Sequence, residues 1–179
     1  SRSCLSGTTP LPCRPMLATS HSSSQYDLQG LIAAIAQSQA EDALSPHMLT
    51  PAQWELLAPY LQPCVLALSQ VLFNQGVSDR TLYFLESGSL SVHYEDAKGR
   101  LRLALVTPGS VVGEGGFFSQ RPRTATVQAA APAKLWGLSA LRLTELSNRQ
   151  PAVALGVAMA AGAVLAKRLG NRRRRAAAT

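Results

Sequence analysis

The sequence is poor in the residues that build metal sites and disulfide frameworks. Its three cysteines, Cys4, Cys13 and Cys64, are widely spaced and form no C-x-x-C pair, and His21, His47 and His93 stand alone. Neither a zinc site nor a disulfide framework follows from that spacing, and a reducing cytoplasm is the simplest compartment. Long hydrophobic runs are also missing. The longest uncharged apolar stretch, Ala152–Ala166, has fifteen residues. A spanning helix needs roughly 20, so the run reads as a buried helix and no membrane span is expected. No charged and then apolar leader precedes a cleavage site, which argues against secretion. A general basic face is lacking too. The net charge is +7, but Lys167, Arg168 and Arg172–Arg175 supply six of the seventeen basic residues, leaving eleven basic against ten acidic up to Ala166. The body of the chain is nearly neutral, which argues against a broad nucleic-acid-binding surface and confines the positive charge to the C-terminal end.

What is there suffices for one folded domain: 179 residues, 46% of them hydrophobic, can bury a sizeable core. Residues 1–25, rich in Ser, Thr and Pro, read as a disordered tail or an expression remnant, with Met16 a candidate native start. N-terminal helices are expected over 26–63. Leu28, Leu31, Ile32 and Ile35 predict an amphipathic helix from Asp27 to Leu44, stopped by Pro46. Thr50-Pro51-Ala52-Gln53 predicts a helix start with Thr50 as N-cap and Gln53 closing a capping box. Trp54, Leu57 and Leu61 would face inward, and Pro59 and Pro63 limit its length.

From Cys64 the pattern becomes short β-branched, aromatic and leucine-rich runs: Cys64–Leu68, Val71–Phe73, Thr81–Glu86, Ser89–Tyr94, Leu101–Thr107, Ser110–Val112, Thr124–Ala129 and Ala133–Leu138. Turn signals such as Asn74-Gln75-Gly76, Ser87-Gly88 and Pro108-Gly109 separate them. The expected fold is mainly β with flanking helices: an eight-stranded jelly-roll β-barrel over 64–138, with helices before it and after it. Ser139 predicts the cap of a helix to about Asn148, and Pro151 opens a last helix to about Leu169, giving C-terminal helices over 139–169 and a basic tail over 170–179.

One stretch, Gly113 to Val127, carries chemistry. Its glycines free the backbone at a helix start, where bare N–H groups and a positive dipole end suit an anion. Arg123 follows and can form a forked pair with a phosphate. Glu114 would repel phosphate but suits a hydroxyl, such as that of a ribose. Phosphate and sugar hydroxyl in one cradle suggest a nucleotide.

Gly113-Glu114, followed by Pro122-Arg123-Thr124-Ala125-Thr126-Val127 at this spacing, resembles the phosphate-binding cassette of the cyclic-nucleotide-binding domain family. The resemblance covers roughly Leu49 to Leu169. It implies a ligand, cyclic AMP or cyclic GMP, and no cofactor. It implies that Arg123 pairs with the cyclic phosphate and that Glu114 accepts from the ribose 2′-hydroxyl. The amides of Gly113, Gly116 and Ala125 would complete the cradle, and the Thr124 hydroxyl would reach the phosphate or the base. Where members of the family usually have an apolar residue and then Ala after the glutamate, this chain has Gly115 and Gly116, which cost roughly 0.5–1 kcal/mol each in a helix.

By resemblance the last helix also covers the base. Ala152–Ala166 has no polar side chain, so contacts from Val157, Met159, Val164 or Leu165 would be apolar and discrimination between bases shallow. Its small residues, Gly156, Ala160, Ala161 and Gly162, permit a homodimer through this helix.

The leading expectation is a regulatory sensor with no catalytic activity, acting through an effector protein or domain. Only ten residues follow Leu169, too few for a helix-turn-helix reader, so no DNA-binding domain of its own is expected. A cupin-type enzyme is disfavoured, since only His93 lies among the predicted strands. The alternative is a degenerate pocket in a module that binds polyanions, nucleic acid or an acidic membrane surface, through Arg172, Arg173, Arg174 and Arg175.

Overall fold

A computed structural model of the chain describes residues 26–95 and 98–177. The expected N-terminal tail lies outside the described residues, as do residues 178–179. Two N-terminal helices, α1 (Gln29–Gln37) and α2 (Pro51–Leu57), precede six strands: β1 (Gln62–Leu66), β2 (Val71–Phe73), β3 (Thr81–Glu95), β4 (Leu101–Val106), β5 (Val111–Val112) and β6 (Thr126–Ser139). A short helix, α3 (Glu114–Ser119), sits between β5 and β6, and α4 (Ala140–Arg149) and α5 (Pro151–Ala177) close the chain.

All strand pairs are antiparallel, in the order β1-β6-β3-β4, with β2 on β6 and β5 on β3. The mainly β class with flanking helices is as expected. The strand count is not: there are six strands among the described residues, and the sheet does not close into a barrel. Two pairs of predicted strands are continuous. Thr81–Glu86 and Ser89–Tyr94 merge in β3, and Thr124–Ala129 and Ala133–Leu138 merge in β6. Gly88 and Pro132 mark bulges rather than chain reversals, with register shifts between Leu85 and Leu90. Across that bend five steps of β3 run opposite six of β6. β3 therefore changes which of its alternate residues faces inward.

The sheet separates two cores. On one face Leu82, Phe84, Trp136 and Leu138 pack with Leu31, Ile35, Trp54, Leu57, Leu146, Val153, Val157, Ala161 and Val164 from the helices. On the other, Leu85, Leu90, Val106, Val112, Val127 and Leu135 fill the inside of the β roll. Trp136 is satisfied within this packing, its Nε1 donating to Glu86 Oε2 at 2.6 Å.

The local signals at the helix starts hold. Thr50 accepts from the Gln53 amide at 3.2 Å while Gln53 Oε1 accepts from the Thr50 amide at 2.9 Å, the predicted capping box. Ser139 accepts from the Arg142 amide at 3.2 Å. α1 stops at Gln37, seven residues before Leu44, because the turn before β5 competes for that segment. Leu44 donates to Gly109 O at 2.9 Å and Ser110 Oγ to Asp42 O at 2.7 Å. Gly109, at φ 86°, passes so close to α1 that a Cβ there would lie 2.7 Å from Ala34 O.

Two further expectations are corrected. Cys64 is disulfide-bonded, whereas the cysteine spacing gave no reason for a disulfide. And α5 does not end near Leu169: it runs unbroken through the basic run to Ala177. Over Pro151–Arg174 it is long and apolar enough to cross a membrane by length and composition. Here one face of it belongs to the helical core.

Candidate functional site

The cassette is built on two close approaches. β5 gives way at once to Gly113, φ 87°, where a Cβ would lie 2.5 Å from Arg123 Nη1 and 2.7 Å from Thr81 O. Both the left-handed backbone and the lack of space require glycine there. α3 starts at once. Glu114 occupies its first turn, where a carboxylate favours the dipole, and Phe117 anchors it in the helical core. Gly116 is buried, while a Cβ on Gly115 would meet nothing within 4 Å. The chain then returns beneath α3. The loop between β2 and β3 fixes the Arg123 backbone, whose amide donates to Val77 O at 2.8 Å and whose carbonyl accepts from Gly76 at 2.7 Å.

Arg123 is 3% exposed. Its Nη1 donates to Gly113 O at 2.9 Å, and its Nη2 donates to Thr81 O at 2.7 Å and to Asp79 Oδ2. Thr81 Oγ1 donates to the other Asp79 oxygen at 2.8 Å, orienting that carboxylate. The guanidinium lies 4.0 Å from the Phe73 ring centroid, within cation–π range. Of its three nitrogens only Nε, which is sealed from solvent, has no acceptor among the described residues. A buried unpaired donor costs about 1–3 kcal/mol. The sequence reading foresaw Arg123 but not Asp79 or Phe73.

Glu114 is 9% exposed. Its Oε1 accepts from Arg168 Nη1 of α5 at 2.7 Å. Arg168 also donates from Nε to Asp42 Oδ2 at 2.8 Å and from Nη2 to Ser110 Oγ at 3.1 Å. Burial alone would lower the Arg168 pKa, but the Glu114 and Asp42 carboxylates outweigh it and hold it above its ordinary value. Burial and then the Asp79 charge raise the pKa of the Tyr83 phenol beside this region.

These groups surround a cavity of about 570 Å³, within the range of small-ligand sites. The structure brings all six predicted site residues, Gly113, Glu114, Gly116, Arg123, Thr124 and Ala125, into its wall. Val92, Tyr94 and Val106 line it from the sheet, and Leu165, Arg168, Leu169, Asn171 and Arg172 from α5. The expectation of a purely apolar cover is overturned. Val157 and Val164 point into the core and Met159 is exposed; of the four residues foreseen, only Leu165 lines the cavity. The polar contributions come from the turns beyond it. Asn171 donates to Glu41 Oε2 at 3.0 Å, and the Arg172 guanidinium lies 4.7 Å from the Tyr94 ring centroid. Arg172, the first residue of the basic run expected as a tail, is thus part of the wall.

The profile of the "Cyclic nucleotide-binding domain" matches residues 64–150. The chain belongs to the cyclic nucleotide-binding domain family. This cyclic nucleotide-binding domain is 31% identical to the "Cyclic AMP receptor protein" of Thermus thermophilus, over 69% of this chain and 56% of the relative. It is 33% identical to "Acetyltransferase Pat" of Mycolicibacterium smegmatis, over 59% of this chain and 32% of the relative. A solved cyclic nucleotide-binding domain from Methylobacillus flagellatus shares its fold, with a TM-score of 0.71 at 18% identity, covering 83% of this chain and 81% of that one. The domain spans between 11% and 56% of the length of the curated relatives it matches.

Proposed function

We propose that this domain binds cyclic AMP or cyclic GMP as a regulatory signal and catalyses no reaction itself. The observation that carries the reading is Arg123: a buried guanidinium in the cavity wall with its Nε–H unpartnered. A cyclic phosphate oxygen suits that donor, because a charge-assisted bond to phosphate is stronger than one to a neutral oxygen; since Nε is sealed from solvent here, the side chain turns out of its Asp79 and Thr81 contacts to meet it. The amides of Gly113, Gly116 and Ala125, and the Thr124 hydroxyl, stand in the same wall. Glu114 keeps Oε2 for a ribose hydroxyl, since Arg168 takes only Oε1. The base lies against Leu165, Leu169 and Arg172, so base choice rests on the last turns of α5.

The signal acts by favouring one arrangement of α3 and α5 over another, read by an effector protein or domain in the cytoplasm. α5 presents Leu155 and Met159, 63% and 66% exposed, for pairing with a second copy. The polyanion alternative gains no support from the site, because Arg172 lies over Tyr94 and Arg174 donates to Asn171.

Calorimetric titration with cyclic AMP and cyclic GMP tests the reading, with Arg123→Lys as the control. Micromolar or tighter binding by the parent, weakened about 30-fold or more in the variant, is expected. No heat with either nucleotide would refute it.

A further inference from the structure

Arg168 lies 54 residues from Glu114 in sequence, yet its guanidinium meets groups from three other segments at once. Nη1 donates to Glu114 Oε1 on α3 at 2.7 Å. Nε donates to Asp42 Oδ2, between α1 and α2, at 2.8 Å, and Nη2 approaches the same oxygen at 2.7 Å. Nη2 also donates to Ser110 Oγ, before β5, at 3.1 Å, and that hydroxyl donates on to Asp42 O at 2.7 Å. A planar fork held at three points has one orientation, so it fixes the carboxylate it grips. With Oε1 taken, Oε2 accepts nothing from the protein among the described residues.

We propose that Arg168 is the positioning residue for ribose recognition: by gripping Glu114 through Oε1 it presents Oε2 to the 2′-hydroxyl. The inference rests on the nucleotide reading of the cavity above. It has a mechanical corollary. The hydroxyl, Glu114, Arg168 and Asp42 form one chain of charge-assisted bonds, so tightening at the sugar tightens the seat of α5, and the reverse holds by linkage. Leu165, Leu169, Asn171 and Arg172 share that stretch of helix, so ribose contact and closure of the cavity wall come as a unit.

A merely structural Arg168 would weaken every ligand alike. The distinguishing measurement is the preference for the tighter-binding cyclic nucleotide over its 2′-deoxy analogue, by calorimetry on the full chain. A hydrogen bond to a charged group predicts a preference of about 10- to 100-fold in the parent. Arg168→Gln reduces it to within about 3-fold, Arg168→Lys, which keeps the charge, restores part of it, and Arg123→Lys weakens both ligands by a similar factor. Preference unchanged in a cooperatively melting Arg168→Gln overturns the proposal. So does a parent that binds both analogues equally, a result that leaves the nucleotide reading standing. No binding of either by the parent defeats that reading, and this proposal with it. Should Arg168→Gln not fold, Asp42→Asn, which removes the other carboxylate of the fork, is read instead: a loss of preference of about 2-fold or more supports the assignment and none overturns it.

Discussion

Replacing Arg123 with alanine tests the cassette as architecture, separately from any ligand. The substitution strips Gly113 O and Thr81 O of their donors and leaves Asp79 without its cation. Breaking a buried ion pair from one side costs about 3–5 kcal/mol. The Asp79 side chain is 32% exposed, so water recovers part of its solvation, and the low end, about 3 kcal/mol, applies. For a domain of this size each kcal/mol lowers the melting temperature by about 2–4 °C, which predicts a drop of about 6–12 °C without ligand. Differential scanning calorimetry of parent and variant reads it directly. Asp79→Asn combined with Arg123→Ala costs less than the sum of the two single changes, because they remove the same pair. A melting temperature within about 2 °C of the parent would refute the reasoning: Arg123 would then be dispensable to the fold, and the Asp79 network an idle contact.

Two other changes probe the same region. Gly113→Ala forces a left-handed alanine against Arg123 and Thr81 O and destabilises by at least about 1–2 kcal/mol, whereas Gly115→Ala, two residues on and facing open space, stabilises α3 by about 0.5–1 kcal/mol; urea midpoints of the pair give opposite signs if the cassette is as described. Folding keeps the Tyr83 phenol neutral above its ordinary pKa of 10.0, so its contribution is intact below pH 10 and fades as pH rises beyond, and Tyr83→Phe flattens that alkaline decline in melting temperature.

Much of this was legible in the chain because the signals are local. The capping box at Thr50 and Gln53 and the cap at Ser139 each depend on residues a few positions apart and lie where the pattern put them, and most of the strand runs fall within observed strands, with two pairs merged. The partners of the two charged site residues were not legible. Asp79 lies 44 residues from Arg123, and Arg168 lies 54 from Glu114; no periodicity links them, only the way β3 and α5 cross the cassette. A hint was available in α5 itself, where the apolar stripe of Val157, Ala161 and Val164 continues in phase to Arg168. Ending the helix near Leu169 leaves out Asn171 and Arg172, and Arg168, though inside the expected helix, is counted only with the C-terminal charge. The strand count erred for a related reason: Gly88 looks like a chain reversal in sequence, and only pairing with a bent β6 makes it a bulge.

The unbroken course of α5 makes it a counting device. Its inner turns are clocked by the core, and Arg168 stands one turn past Val164 on the same side. Side chains along the rod can drift, but its residue number cannot. One residue added between Val164 and Arg168 would leave the core in register and swing everything beyond by about 100°, turning the fork away from Glu114. The spacing of those two positions is therefore as much a part of the binding site as the arginine itself.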